Sequence, residues 1–428
     1  MKEKRTRTLV VGTGPGGATV ARELARRGEP VIIIEKGRDH QWPVGTALAY
    51  ATMYDIRRSQ DGILVRRGIT TGGSTMLYSG NAYDPPAFLK NELGFDLDRE
   101  VAETKAELSI APVPQYFYRN YVGTRRLVEA ADRLGYTMKP QQRFIDPLKC
   151  DPACDRCLFG CRRGAKWTAR SFLQEAVDYG AELVTRCDAR RVLIADGAAE
   201  GVEAKIPGGR LRLLADRVIL AAGGIGTPVI LQNSGLSEAG SHFFTDPMSV
   251  LAGVMKEGAG TFHEITYTFA DETAVGEFVM GNVGAVNALM AQLAARHILF
   301  ARRVPRIKQL AGMFIKLRDD ASGRVDPHGR IHKAFTAGDE ARLARGVAKA
   351  QQVMKAAGVD PGTISVARGI GGHPGGTAAI GRVVGHDLQT RVKGLYVCDN
   401  SVMPRSGGIP PVLTLIALAK QAARKIFI

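Results

Sequence analysis

Thr8-Leu9-Val10-Val11-Gly12-Thr13-Gly14-Pro15-Gly16-Gly17 is an apolar run that stops at a cluster of glycines. The four residues before Gly12 read as a buried strand. Beyond the glycines, Ala18, Val20, Ala21, Leu24 and Ala25 recur at helical spacing, and Pro30 to Ile34 reads as a second strand ending in Glu35. The unit is strand, glycine-rich turn, helix, strand. Gly12 permits the tight turn, Gly14 lets the backbone approach a pyrophosphate, and Gly17 lets the helix pack closely on the strand. Gly16 belongs to the same cradle. The helix N-terminus adds unpaired N–H groups and partial positive charge for phosphates. Glu35, 23 residues beyond Gly12, stands where a carboxylate accepts hydrogen bonds from ribose hydroxyls, with Lys36 next to it. On this motif alone NAD and FAD both remain open.

Working outward, the 428 residues are 45% hydrophobic, enough for a large core and more than one domain. No Gly/Pro/Ser run separates domains, so they are expected to interleave along the chain. The net charge of +16 is compatible with an anionic partner or with a solvated basic surface. Aromatic residues are 7% and no nucleic-acid recognition motif is present, so nucleic acid is not expected as a partner. The start, Met1 to Arg7, runs into the first strand without an apolar leader, which points to a cytoplasmic, reducing compartment. Six cysteines in a chain of this length do not make a disulfide scaffold. The stretch from Asn287 to Leu317 mixes apolar residues with Arg296, Arg302, Arg303, Arg306 and Lys308. It fits a core-facing helix with a wet basic face, and leaves peripheral membrane contact open.

Four further segments, taken with the cradle, resemble the glucose–methanol–choline (GMC) oxidoreductases, a family of FAD enzymes. The first is Arg67-Gly68-Ile69-Thr70-Thr71-Gly72-Gly73-Ser74-Thr75. The second is Val218-Ile219-Leu220-Ala221-Ala222-Gly223-Gly224, running on to Thr227-Pro228. The third, His373-Pro374-Gly375-Gly376-Thr377, is similar to the segment that carries the family's active-site histidine. The fourth is Cys398-Asp399-Asn400-Ser401, followed by the apolar helix from Pro411 to Ala419. They occur in the family's order and cover the chain from end to end.

The resemblance implies an α/β fold: an FAD-binding, Rossmann-like doubly wound domain with an interleaved α+β substrate domain containing an antiparallel sheet. The expected FAD-binding segments are 1–85, 165–245 and 370–428, and the substrate or cap segments are 86–164 and 246–369. It adds Arg67, Gly72, Gly73, Ser74, Ala222, Gly223, Asp399, Pro411 and Val412 to the cofactor contacts. The first turn of the last helix, near Pro411 and Val412, is expected to aim free N–H groups at the flavin. No His or Cys lies within Gly72 to Leu77, so FAD is expected to be held without a covalent bond.

Cys150, Cys154, Cys157 and Cys161 place four thiols within twelve residues, in a C-x3-C-x2-C-x3-C arrangement. The count suits a [4Fe–4S] cluster, with zinc or free thiols as alternatives. Cys157 to Lys166 also resembles a cysteine-containing segment in a bacterial and plant branch of the family that by itself implies no cluster. Lys149, Arg156, Arg162, Arg163 and Lys166 surround the thiols and suit an acidic electron carrier such as a ferredoxin, or a partner redox subunit.

His373 is the candidate proton acceptor for a small-molecule alcohol, since an imidazole titrates in the right range. The family's second His or Asn falls on Pro410, whose side chain neither accepts a proton nor donates a hydrogen bond. His263, His328 and His332 are the other histidines considered as assistants. Three readings follow: an FAD dehydrogenase of CH–OH groups passing electrons through a metal cluster, a ferredoxin-linked reductase of C=C or C=O bonds, and a non-catalytic electron-transfer subunit.

Overall fold

The computed structural model describes residues 2–42 and 44–425. The cradle segment forms as its pattern requires. Strand Lys2–Val11 leads through the glycines into helix Pro15–Ala25 and on to strand Val31–Ile34, which is buried along its whole length. Such continuous Val/Ile runs belong to strands covered on both faces. Strand Lys2–Val11 pairs in parallel with Val31–Ile34 on one side and with Gly209–Leu220 on the other. Glu182–Val184 and Leu395–Val397 extend the parallel part, while Asp188–Ala195 and Ala198–Ile206 add antiparallel strands to a seven-stranded sheet. Helices Pro15–Ala25, Ala169–Asp178 and Val412–Lys425 pack together against it. Leu9, Val10, Ile33 and Ile34 are almost wholly buried, and each contributes about 1.5–3 kcal/mol of apolar burial.

An eight-stranded sheet carries the second layer. Its central strands, Met248–Val254, Leu310–Leu317 and Phe278–Val283, are antiparallel and buried. Helix Ala337–Ala356 covers this sheet, and a reciprocal cap between Thr336 and Asp339 fixes its start. Strands Tyr54–Arg58 and Leu64–Gly68, which lie within the expected FAD-binding segments, pair into this second sheet. Leu64–Gly68 runs parallel to Ser365–Gly371, with Ile370 opposite Leu64 and Gly371 opposite Val65. That single parallel pairing brings the cradle side and the His373 segment together.

The Asn287–Leu317 stretch divides into helix Ala285–Ala294, a 3-10 segment Ile298–Gln309 and the buried strand Leu310–Leu317. It is therefore not one amphipathic helix, because its last eight residues are a buried sheet strand. Among the described residues no helix is long and apolar enough to cross a membrane.

Candidate active site

A cavity of about 740 Å³ lies between the two sheets. Of the expected cofactor contacts, Gly12, Gly14, Gly16, Glu35, Lys36, Arg67, Gly73, Ser74, Ala222, Gly223, Asp399, Pro411 and Val412 line it. Gly17 and Gly72 do not, and serve the backbone instead. Gly72 N–H donates to the hydroxyl of Thr13 at 3.1 Å.

The cradle fits a dinucleotide. Gly12 has φ of +106°, and a Cβ there would meet the Ala221 carbonyl oxygen at 2.3 Å. A Cβ on Gly16 would meet the Cys398 carbonyl oxygen at 2.1 Å, so the helix can reach this depth only with glycine. A Cβ on Gly14 would meet nothing within 4 Å. Helix Pro15–Ala25 starts with no side-chain cap, which leaves its first N–H groups facing the cavity for phosphate.

Glu35 is buried, and its carboxylate is already engaged. It accepts from Thr13 N–H (3.2 Å), the Thr13 hydroxyl (2.7 Å) and Gly37 N–H (2.7 Å). Burial nevertheless leaves its pKa above the usual carboxylate value. Glu35 thus ties the glycine turn to the second strand through Thr13, a residue the sequence reading did not single out. Asp399 accepts from Gly223 N–H (2.8 Å), the Thr227 hydroxyl (2.5 Å) and Ser401 N–H (2.8 Å), and so ties the second family segment to the fourth at the cavity wall. Lys36 pairs with Asp188 at 3.5 Å and Arg67 with Asp55 at 2.8 Å.

At the other end of the cavity, His373 follows the strand Ser365–Gly371. Its Nδ1 lies 3.0 and 3.1 Å from the two carboxylate oxygens of Asp246. Lys316 Nζ is 2.7 Å from Asp246 Oδ1 and 3.1 Å from the same imidazole nitrogen. The side chains of Asp246 and Lys316 are 2% and 7% exposed, whereas that of His373 keeps 25% of its surface open. The Lys316 ammonium, which can only donate, lies closer to Asp246 than to the ring, and the two carboxylate oxygens at Nδ1 favour the tautomer that donates to them and leaves Nε2 as the free acceptor. Desolvation, with Lys316 and Arg66 nearby, holds His373 below the usual histidine pKa despite Asp246. Asp246 adopts φ of +37° and is fixed from behind by buried Asp319, which accepts from the N–H groups of Thr245 (3.1 Å) and Asp246 (2.8 Å).

Pro410 lines the cavity where the family places its second polar side chain. None of the three other candidate histidines takes over beside His373. His263 contacts the Ala153 carbonyl and His332 contacts Gln60 and Asp326, while His328 lines the cavity without bonding to His373. The partners are Asp246 and Lys316. Lys316 had a signal in the sequence: it is the lone charge in the apolar run Leu310–Leu317.

The structure lends the four-cysteine expectation no support. All four thiols are free, and among the described residues no group of three or more His, Cys, Asp and Glu side chains is arranged to hold a metal ion. Neither the [4Fe–4S] cluster nor zinc on Cys150, Cys154, Cys157 and Cys161 is supported. Burial pushes the Cys150 thiol up to about 12 and raises Cys157 too. Lys166 is not a surface charge around a cluster. It is buried, and donates to the carbonyls of Met76 (3.3 Å), Tyr78 (2.5 Å) and Cys157 (2.8 Å). The cysteine loop is thereby stitched to the segment after the Gly72-Gly73 pair.

The family model for GMC oxidoreductases matches residues 96–250 with its N-terminal part and residues 314–419 with its C-terminal part. The chain belongs to the GMC oxidoreductase family. It is an FAD-dependent oxidoreductase of the α/β class. Among relatives, a GMC-type oxidoreductase of Mycobacterium tuberculosis is 28% identical, over 98% of this chain and 75% of its own length. A long-chain-alcohol oxidase of Arabidopsis thaliana is 24% identical, over 99% of this chain and 67% of its own length. Pyridoxine 4-oxidase from Mesorbium loti shares the GMC fold, with a TM-score of 0.75 at 17% identity and 99% coverage of both chains.

Glu35→Gln tests the nucleotide end of this GMC site. It removes the charge that Thr13 and Gly37 hold and that a ribose would share. FAD retention on dialysis is expected to weaken by about 1–3 kcal/mol. Unchanged occupancy would show that Glu35 serves the turn alone.

Proposed function

We propose that this chain oxidises the CH–OH group of a small-molecule alcohol, with His373 as proton acceptor. The observation that carries this is the buried Asp246–Lys316 pair holding Nδ1 of His373 while the imidazole stays open to the cavity. When bound, FAD supplies the acceptor for the hydride that leaves the substrate carbon. The cradle glycines, the first turn of helix Pro15–Ala25, Glu35, Asp399 and the Pro411–Val412 turn would hold it. His373 takes the hydroxyl proton on Nε2, and the carbon becomes a carbonyl. Asp246 keeps the imidazole in the accepting tautomer and offsets the positive charge that forms on it. Lys316 compensates Asp246, so the resting cluster is neutral, and Pro410 leaves His373 as the one imidazole of the pair. Relatives named as alcohol oxidases support this direction of reaction. A non-catalytic role would have no use for a buried ion pair aimed at a solvent-open imidazole. The proposal routes no electron through the cysteine loop; iron and acid-labile sulfide analysis of anaerobically prepared protein decides that point.

Because His373 sits below the ordinary histidine pKa, the imidazole is neutral, and therefore able to accept, across neutral pH. Protonation abolishes the acceptor, so kcat/KM falls only on the acid side. The acid limb is expected below the free-histidine value of about 6.5. A limb well above that value would contradict the assignment. A panel of alcohols with an artificial electron acceptor tests the reaction class: turnover supports it, and a protein that only accepts electrons from a low-potential donor opposes it.

A further inference from the structure

The reacting end of the cavity contains a cation, Arg66, that no carboxylate among the described residues pairs with. Arg66 lies on strand Leu64–Gly68 and lines the cavity. It makes no ion pair among the described residues, and its one side-chain hydrogen bond is a long one, 3.5 Å to the Tyr50 hydroxyl. Its neighbour Arg67, on the opposite side of the pleat, is paired with Asp55. The carboxylates lining the cavity are Glu35, Asp188 and Asp399. Glu35 and Asp399 belong to the nucleotide cradle, and Asp188 is paired with Lys36 beside it. Lys316 is matched by Asp246, so Arg66 is left with an unanswered charge.

Position follows from the sheet. The parallel register Leu64–Ile370, Val65–Gly371 sets Arg66 level with Gly372, one residue before His373. Arg66 is within electrostatic reach of His373, Lys316, Tyr54 and Tyr267. Tyr267 adopts φ of +58°, a region that aromatic residues rarely enter, and is held there edge-on against Phe314 with ring centroids 5.0 Å apart. Its carbonyl accepts from Asn81 and Arg143 at 2.8 and 2.9 Å, which stabilises the strained turn. Tyr83, Met248, Tyr267 and Phe314 give the same chamber apolar walls.

An unpaired guanidinium facing an apolar chamber is a receptor for an oxyanion, and its planar fork matches a carboxylate. We propose that Arg66 binds a carboxylate on the substrate, so that the alcohol oxidised at His373 is a hydroxy acid with an apolar body. This rests on the alcohol-oxidising reading above and names its substrate class. The reaction is unchanged: the hydroxyl gives its proton to His373 and its carbon gives the hydride to FAD, while the carboxylate is a spectator that orients the carbon.

The test uses flavin-loaded protein, with sodium benzoate as the probe, benzamide as its neutral counterpart and sodium phosphate as the competing oxyanion. Binding is read by the perturbation of the flavin spectrum and by calorimetry. Benzoate is expected to bind saturably, and benzamide and phosphate at least about tenfold more weakly. Arg66→Met is expected to keep its FAD and weaken benzoate by at least about tenfold, with Arg66→Lys between it and the wild type. Benzoate binding unchanged in both variants would overturn the proposal, as would equal binding of benzamide or a preference for phosphate. An Arg66→Met protein that folds but loses FAD would also overturn it, by placing the guanidinium on the cofactor. Failure of the alcohol-oxidising reading looks different: benzoate still binds through Arg66, but no alcohol, hydroxy acids included, bleaches the flavin.

Discussion

His373→Ala is expected to retain FAD and to lose substrate-dependent flavin reduction by about 10²–10⁴-fold. Retention follows from the cradle, which holds the nucleotide end with groups that do not touch the imidazole. Loss follows because no acceptor then faces the hydroxyl: Pro410 has none to offer, and the Asp246 carboxylate lies behind the imidazole, buried and paired with Lys316. The remaining rate would come from positioning alone. Anaerobic mixing of wild-type and variant protein with an active alcohol, following the oxidised-flavin band, measures both properties in one sample. A fall of less than about tenfold would move His373 from chemistry to structure.

Lys333→Met is expected to lower folding stability by about 3–5 kcal/mol, although the residue is outside the cavity. Its ammonium is fully buried, 3.1 Å from Asp319 and 3.7 Å from Asp339, and donates to the Asp320 carbonyl (2.5 Å) and the Ser322 hydroxyl (3.1 Å). Burial already lifts Asp319 to about 6 against the pull of Lys333. Without the ammonium, Asp339 keeps Arg342 at 2.7 Å, but the Asp319 carboxylate is left without a cation in a medium that cannot solvate it. The sign with pH follows. The penalty is borne by ionised Asp319, so the deficit of the variant is largest above the Asp319 pKa and shrinks as pH falls through it. Denaturant midpoints at pH 8 and pH 5 check this, and a deficit independent of pH would contradict it. Since Asp319 fixes the backbone of Asp246, slower flavin reduction is expected to accompany the lost stability.

The nucleotide end was legible because its physics is local. Gly12, Gly14, Gly16 and Glu35 sit within one strand–helix–strand unit, where spacing fixes geometry. His373, proposed here as the proton acceptor, was legible through the His373–Thr377 segment. Its partners were not, because Asp246 and Lys316 are 127 and 57 residues away in sequence and meet it only through the pairing of three strands. Arg66 stayed hidden beside Arg67 for a related reason: two adjacent arginines look alike in sequence, and only the pleat and the carboxylate at Asp55 separate paired from unpaired. In the cysteine run, thiol count and spacing do not by themselves reveal what each residue of the loop contacts. Cys157 sits on a short 3-10 turn whose carbonyl is taken by Lys166.

The account stands on one continuous cavity that holds FAD without a covalent bond at one end and an alcohol at His373 at the other. Acid precipitation of protein that an active alcohol has first bleached anaerobically tests this most directly. The account predicts complete bleaching in the wild type, none in His373→Ala on the same timescale, and stoichiometric FAD in the supernatant of both. Flavin that stays with the precipitate, or a His373→Ala protein that bleaches as fast as the wild type, would contradict it.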